Sequence, residues 1–269
     1  MRLRGCFPGV NHGWRCNTWM AISGQNSRNT LVRASRPIAH AYFEENPLAG
    51  KTKSEMAQRL DGLQSNLRPL LKGLGYRVHG RTFNRSTADG LTQVVHFQMG
   101  PFDPPGTVYV PGLTQDLYGK FTVNLGVYVP EVAEYQGGRL AGSVVHEYQC
   151  CIRARLRSLG PDGVETWWEL NQIDDLSSEI SKRLTEDGLP FLSRFESRDA
   201  ILESWKGVTA NFSAGYPPRI VCAIILVKRG RRAEARTLLS AQARETLNPH
   251  HPEHVRGLAR RLGLGELEQ

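Results

Sequence analysis

The stretch from Tyr76 to Val129 constrains the fold most, because its apolar residues recur at every second position, as they do in β-strands. The clearest alternation covers residues 121–129, with the apolar set Phe121, Val123, Leu125, Val127 and Val129. A second alternating segment covers residues 91–99. Successive side chains of a strand point to opposite faces of the sheet. Each segment therefore predicts a strand with one apolar face toward a core and one polar face.

Two glycines predict how the start of this stretch is connected. Asp89-Gly90 is a strong hairpin signal between two strands. Further upstream, the apolar positions pass through Tyr76 and Val78 and then switch to Phe83. Gly80 lies at the switch, so we expect a single strand with a β-bulge at this glycine.

Residues 54–75 have a different period. Their apolar residues are three and four apart, which is typical of an amphipathic helix. Ser54 suits the N-cap and Glu55 suits the positive end of the helix dipole. Pro69 falls inside the pattern and predicts a kink or a break near Asn66. We expect this helix to lie on the sheet.

The second half of the chain predicts one more alternating strand and then helices. Residues 143–159 alternate, and they put Arg153, Arg155 and Arg157 on one outer face, although a helix is a rival interpretation. A short apolar strand is expected over residues 164–170. Two helices with small residues around Gly230 form a predicted hairpin, and Pro252 suits the start of a last helix that ends at Gly263.

These elements predict an α+β fold. We expect an antiparallel β-sheet of about four to five strands, packed on one face by the N-terminal amphipathic helix and followed by a helical C-terminal extension. The predicted domains are a disordered N-terminal extension over 1–50, or sequence translated upstream of the true start, a core over 51–205, and the helical extension with its hairpin over 206–269.

Several of the quoted segments together resemble a known family. These are GLGYRVHGRTFNR, QVVHFQM and FTVNLGVYVP in the strand region, the stretch around Cys150 to Leu156, the Trp pair at 167–168, and GLPFLSRF at 188–195. The chain is similar to domain-of-unknown-function family 4304, a group of uncharacterised bacterial proteins, over roughly residues 54–205. The resemblance implies an α+β fold and no particular activity.

The charge and the cysteines bear on partners and location. The net charge of +8 comes from the ends: residues 1–50 have six Arg and two Glu, and residues 218–269 have ten bases and five acids. A basic end can neutralise nucleic-acid phosphates or can simply be a solvated face. The five cysteines lack paired spacing, which is typical of the reducing cytoplasm. The longest apolar run, Ile220–Val227, is too short to span a membrane.

Polar side chains converge at one place in the core, the polar face of the predicted sheet. The candidate ligand-binding residues are Arg81, His96, Gln98, Thr122, Asn124 and Tyr128. The alternative is that this face is merely solvated. A proline-rich loop over 100–119 is either a binding loop or a β-extension. Arg153, Arg155 and Arg157 are candidates for holding phosphate or an acidic partner, or they protect an exposed strand.

No P-loop, dinucleotide-binding, nucleophile-elbow or zinc-protease motif is present in the sequence. We therefore assign no catalytic residue, no metal site and no cofactor. The favoured hypothesis is a cytoplasmic, non-enzymatic binding or interaction protein with a protein partner. The first alternative is a small-molecule or phosphoester enzyme that uses His96, Arg81 and Gln98. The second alternative is nucleic-acid binding through the basic termini.

Overall fold

The computed structural model describes residues 53–101, 117–135, 140–161, 163, 167–170, 173–205, 216–246 and 248–267. Residues 51–269 form one compact unit. The predicted N-terminal extension lies outside the described residues. The same holds for most of the predicted proline-rich loop, positions 102–116.

The first helix, α1, spans Glu55–Gly73, where the apolar period predicted it. The Ser54 hydroxyl oxygen accepts a hydrogen bond from the N–H of Ala57 at 3.2 Å and so caps the helix. Leucines three and four apart form the buried side: Leu60, Leu63, Leu67 and Leu71. The helix continues through Pro69, so the predicted break is wrong. Burial of leucines on both sides of the proline offsets the lost backbone hydrogen bond.

Within the described residues the sheet has six strands, and all its pairings are antiparallel. The strands are β1 (Arg77–His79), β2 (Thr82–Ser86), β3 (Thr92–Met99), β4 (Lys120–Tyr128), β5 (Ile152–Arg155) and β6 (Trp168–Glu169). β1 to β5 lie side by side in chain order, and β6 pairs with the start of β4. The predicted α+β class with an antiparallel sheet is confirmed.

Gly80, where the apolar residues change from even to odd positions, lies in a turn. Gly80 has φ +59° and lies with Arg81 between β1 and β2, which pair with His79 opposite Thr82. The predicted bulge in one long strand is therefore wrong. Gly80 has no Cβ and reaches positive φ at low cost, and a loop of two residues suffices to reverse the chain. The Gln64 amide of α1 donates to the Gly80 carbonyl and holds the turn against the helix.

The predicted strand over 143–159 is much shorter in the structure. Only Ile152–Arg155 is a strand, between two 3-10 turns at Glu147–Gln149 and Leu156–Leu159. Upstream of β5, the Asn84 side chain accepts from the N–H of Val145 and donates to its carbonyl, both at 2.9 Å. A side chain thus takes the place of a strand ladder there. We call residues 140–151 the cover segment, because they lie over one face of the sheet.

Seven further helices lie within the described residues. They are α2 (Pro130–Tyr135), α3 (Ile173–Arg183), α4 (Leu189–Ser193), α5 (Arg198–Ser204), α6 (Pro218–Lys228), α7 (Arg232–Glu245) and α8 (His251–Arg261). A π-helical turn at Leu184–Gly188 joins α3 to α4. The predicted C-terminal helices, including the hairpin of α6 and α7, are present.

One buried apolar cluster connects these elements. It contains the α1 leucines, Phe83, Phe97 and Leu125 of the sheet, and the apolar residues Ile220–Leu226 of α6. α1 contacts β1, β3 and α3. The cluster thus includes residues on both sides of position 205, and a domain boundary at that position stays a prediction.

A buried ion-pair network fixes the turn between β2 and β3 to the helices. The Arg198 guanidinium donates to both carboxylate oxygens of Glu131 at 2.6 and 2.8 Å, and its backbone N–H donates to Asp89 Oδ2 at 2.7 Å. The Glu131 side chain is 3% exposed. Hydrogen bonding to Glu131 raises the pKa of Arg198. Burial pushes the pKa of Asp89 upward, but the hydrogen bonds and the charge of Arg198 outweigh it and leave this pKa lowered.

We predict that Arg198→Met lowers the free energy of unfolding by about 3–5 kcal/mol, because it leaves the Glu131 carboxylate buried and unpaired. Urea denaturation followed by circular dichroism measures this. The matched control is Arg219→Met, which removes a surface pair with Glu245 and should cost less than about 1 kcal/mol. Adding Glu131→Leu to Arg198→Met should recover part of the loss. Similar losses for the two arginine variants would contradict the prediction.

Candidate functional site

A row of polar side chains crosses five strands on one face of the sheet. The strand registers place His79, Thr82, His96, Asn124 and Arg155 opposite one another in turn, from β1 to β5. Directly opposed residues of antiparallel strands share a face, so all five side chains belong to the same surface. His96 and Asn124 are directly opposed in this row, which agrees with the polar face on which the sequence alternation predicted both. His79 and Thr82 were missed, because the turn at Gly80 was interpreted as a bulge.

Hydrogen bonds within this face leave several polar groups unused. His96 Nδ1 lies 2.9 Å from Thr82 Oγ1, and Asn124 Nδ2 donates to Gln98 Oε1 at 2.7 Å. Thr122, opposite Gln98, is fully buried, and its hydroxyl has no hydrogen-bond partner among the described residues. We call His96, Gln98, Thr122, Asn124 and Arg155 the polar patch.

The polar face of β4 is buried. From the sequence, one of the two alternatives for this face was exposure to solvent. Thr122 and Asn124 are buried on this face, while Leu125 is buried on the other, so β4 is covered on both sides. The cover segment encloses the far end of the same face. There Tyr128 accepts a hydrogen bond from the Ala141 N–H at 3.2 Å and packs with Val94, Ala133, Val145 and Cys150. Tyr128 is therefore part of a small second core and does not join the polar patch.

The structure places Arg81 away from the polar patch. Its Nε donates to Asp61 of α1 at 3.0 Å, and its Nη2 donates to the Ala57 carbonyl at 3.2 Å. The guanidinium thus holds α1 to the β1–β2 turn. Lys53 also pairs with Asp61. Burial raises the pKa of Asp61, yet the hydrogen bonds and charges of Lys53 and Arg81 outweigh burial and lower it below its ordinary value.

The three arginines predicted in one outer row have different surroundings. Arg153 is bonded to Glu147, a largely buried residue of the cover segment. The Arg155 guanidinium lies over the Trp167 ring, 5.6 Å from its centre. Arg157 lies in the 3-10 turn after β5, over Trp168 at 5.4 Å. Arg153 and Arg155 share the polar face, and Arg157 does not, because the strand ends before it.

Within the polar patch, the pKa of His96 is shifted from its ordinary value. Burial lowers the pKa of its imidazole below the ordinary 6.5, and the nearby His146 and Arg81 lower it further. At neutral pH this ring is therefore uncharged. The stacked rings of His146 and Tyr148, 5.3 Å apart, stand exposed at the edge of the cover segment. Sequence analysis did not connect His146 with His96, because the connection depends on the fold of the cover segment.

A separate open cleft of about 420 Å³ lies at the turn between β2 and β3. Its lining residues are Arg85, Ser86, Thr87, Ala88, Asp89, Glu196 and Ser197. The charges in it are paired: Arg85 donates to Glu196 at 2.6 Å and to Gln93 at 2.8 Å, and Asp89 is bonded to Arg198. This cleft does not include His96.

Residues 67–194 match a family model described as a domain of unknown function (DUF4304). This segment, just under half of the chain, is similar to that family. This confirms the family that the sequence motifs indicated, and the matched segment runs from α1 to the end of α4. No curated protein and no solved structure matches the chain. The row of polar residues and the cover segment all lie within the DUF4304 match.

Among the described residues, no group of three or more His, Cys, Asp or Glu is placed to hold a metal ion. No helix in the described part of the chain has the length and apolar character that crossing a membrane requires.

We predict that Gly126→Ala lowers the free energy of unfolding by about 1–3 kcal/mol. A Cβ at this position would lie 2.6 Å from Sγ and 2.8 Å from Cβ of Cys150, so the cover segment must shift. Urea denaturation measures the loss, and limited proteolysis reports opening of the cover segment. Gly62→Ala on α1 is the control: nothing lies within 4 Å of its Cβ, so that variant should be at least as stable as the wild type. An unchanged Gly126→Ala would contradict this packing.

We predict that His96 makes the chain less stable as pH falls. Its folded pKa is lowered, so below about pH 6.5 the unfolded chain binds a proton that the folded chain does not, and the free energy of unfolding decreases down to the folded pKa. Urea denaturation at about pH 7 and about pH 5 should show a smaller decrease in His96→Gln than in the wild type. His250→Gln, at an exposed site, should keep the wild-type decrease. Equal decreases in wild type and His96→Gln would refute the role of His96.

Proposed function

We propose that the chain is a non-enzymatic binding module of the cytoplasm, and that its polar patch binds a polar segment of a protein partner. The single observation that carries this proposal is the Gln98–Asn124 amide pair, which lies on the polar face next to the half-buried imidazole of His96. The Gln98 side chain is itself half-buried, so its amide group is open to a bound segment. Thr122 is fully buried beneath it and makes no contact with a ligand.

Other unused groups support the same surface. Within the described residues, the Asn124 amide nitrogen is bonded to Gln98 Oε1, while the Gln98 amide nitrogen and the Asn124 carbonyl oxygen have no bond to protein. Their donors and acceptors are complementary to a peptide backbone, which offers one N–H and one C=O per residue. The patch lies on rigid strands, which reduces the entropy lost on binding.

A contact between Thr82 and His96 favours the alternative of an enzyme, because a hydroxyl within hydrogen-bond distance of an imidazole is the arrangement of an activated nucleophile. Two observations favour binding instead. Thr82 is only 3% exposed, so its hydroxyl is not open to a substrate. Arg81, which the enzyme hypothesis needs at the site, is bonded to α1.

The alternative of nucleic-acid binding through the C-terminal basic residues has less support. Arg232 donates to the Gly263 carbonyl, and Arg236 donates to the carbonyls of Leu264 and Glu266. These guanidinium groups hold the last residues of the chain on α7. The location in the cytoplasm is supported by Cys150, Cys151 and Cys222, which are free and buried thiols.

We predict that peptides selected for binding to the immobilised chain, for example by phage display, bind at the polar patch. Gln98→Ala should weaken the selected peptides about tenfold, since it removes roughly one hydrogen bond to a desolvated group. Thr122→Val changes only a fully buried hydroxyl without a partner among the described residues, so it should leave both peptide affinity and stability close to those of the wild type.

The matched control is Thr237→Val on α7, whose hydroxyl bonds only its own helix at Ala233. It should leave peptide affinity unchanged. Selected peptides that bind Gln98→Ala as tightly as the wild type would disprove the proposed surface. Turnover of an ester or phosphoester substrate that is lost in His96→Gln would instead establish the enzyme alternative.

A further inference from the structure

The open cleft at the turn between β2 and β3 is a second place where a ligand can bind. Its volume of about 420 Å³ lies within the range of about 300–1,000 Å³ that is usual for small-ligand pockets. Its charged lining residues are Asp89, which is bonded to Arg198, and the pair of Arg85 and Glu196, which are bonded to each other at 2.6 Å. The cleft is separate from the polar patch, so a ligand here goes beyond the function proposed above.

Buried polar side chains hold the Arg85 guanidinium in place. Its Nε and Nη2 both donate to Gln93 Oε1, at 3.1 and 2.8 Å, and it lies over the Tyr76 ring, 5.5 Å from the ring centre. Gln93 is fully buried, and its amide nitrogen donates to the Leu192 carbonyl at 2.8 Å. Burial raises the pKa of Tyr76 to about 12, so its neutral phenol also donates to Gln93 Oε1, at 3.0 Å. Arg85 is therefore positioned independently of Glu196, which reduces the entropy that it loses on binding a ligand.

The bond between Arg85 and Glu196 leaves groups of both side chains unused. Within the described residues, Arg85 Nη1 and Glu196 Oε2 have no hydrogen-bond partner. The Glu196 side chain is 51% exposed, and an ion pair at such a surface contributes little to stability, so the pair can open at low cost. Arg85 then presents Nη1 and one N–H of Nη2 side by side. This is the fork that binds a carboxylate through two parallel hydrogen bonds.

We propose that this cleft binds a free α-amino acid, with the ligand carboxylate on Arg85 and the ligand ammonium on Glu196. Charge balance selects a zwitterion, because each of the two protein charges then exchanges one partner for another. A simple anion on Arg85 leaves Glu196 unpaired beside a second negative charge, and a simple cation on Glu196 leaves Arg85 unpaired. Asp89 does not compete for the ammonium, since Arg198 and Arg229 already hold its carboxylate.

The remaining lining residues restrict the amino acid further. The carboxylate and the ammonium of an α-amino acid are attached to one carbon, so they suit two side chains that already lie within hydrogen-bond distance of each other. The hydroxyl oxygens of Thr87 and Ser197 accept backbone N–H bonds at 3.2 and 3.1 Å, and their O–H groups have no acceptor within the described part of the chain. Among the described lining residues only Ala88 has an apolar side chain. We therefore expect an amino acid with a small or polar side chain.

Thermal unfolding of the full chain in the presence of each standard amino acid tests the inference. A bound amino acid should raise Tm by roughly 2–5 °C at about ten times its Kd. Isothermal titration calorimetry then measures Kd for the amino acid that raises Tm most. Its N-acetyl derivative lacks the ammonium and its amide lacks the carboxylate, so each should bind roughly tenfold more weakly or worse. If no amino acid raises Tm, the proposal is overturned.

Variants of the two charged residues locate the site. Glu196→Gln removes the partner of the ammonium and should raise Kd roughly tenfold or more, and Arg85→Lys, which keeps the charge without the fork, should raise it roughly fivefold. The matched control is Glu245→Gln, which removes the acid of a surface pair with Arg219 and should leave Kd unchanged. Urea denaturation verifies that each variant is folded. An equal Kd for wild type and Glu196→Gln would overturn the proposal, and an N-acetyl derivative that binds as tightly as the amino acid would replace it with a simple anion site.

Discussion

The structure depends on a central strand that is covered on both faces. β4 pairs with β3, β5 and β6, and its residues Phe121–Tyr128 are all buried. Its apolar face contributes to the main core, where Val123, Leu125 and Val127 pack. Its other face consists of Thr122, Asn124, Gly126 and Tyr128, which must find partners away from water. Elements around the sheet supply such partners.

The cover segment satisfies one end of that face. Asn84 binds both backbone groups of Val145, and Tyr128 accepts from the backbone at Ala141. Gly126 makes room for Cys150, whose sulfur approaches the sheet more closely than a Cβ would permit. At the other end, Thr122 has no such partner among the described residues. The two ends therefore differ, and the surface that we propose for binding lies at the end of Thr122, where Gln98 and His96 are half-buried.

The arginines show why net charge alone says little about partners here. Arg198 neutralises buried Glu131, Arg81 binds α1, and Arg236 binds carbonyl groups of the C-terminal segment. Each of these guanidinium groups stabilises a tertiary contact.

The sequence by itself determined α1, the two central strands, the Asp-Gly turn and the C-terminal helices, because each depends on a local period or on a turn residue. The family was also recognisable from motifs, and His96, Gln98, Thr122 and Asn124 were placed on one face from the period of two.

The tertiary structure decided the hairpin at Gly80, the short β5, the positions of Arg81 and Arg157, and the burial of the polar face. These features depend on contacts between residues far apart in the chain, such as Asn84 with Val145 and Arg81 with Asp61. Strand alternation specifies that two faces differ, but whether the polar face meets water or a covering segment depends on where distant backbone lies.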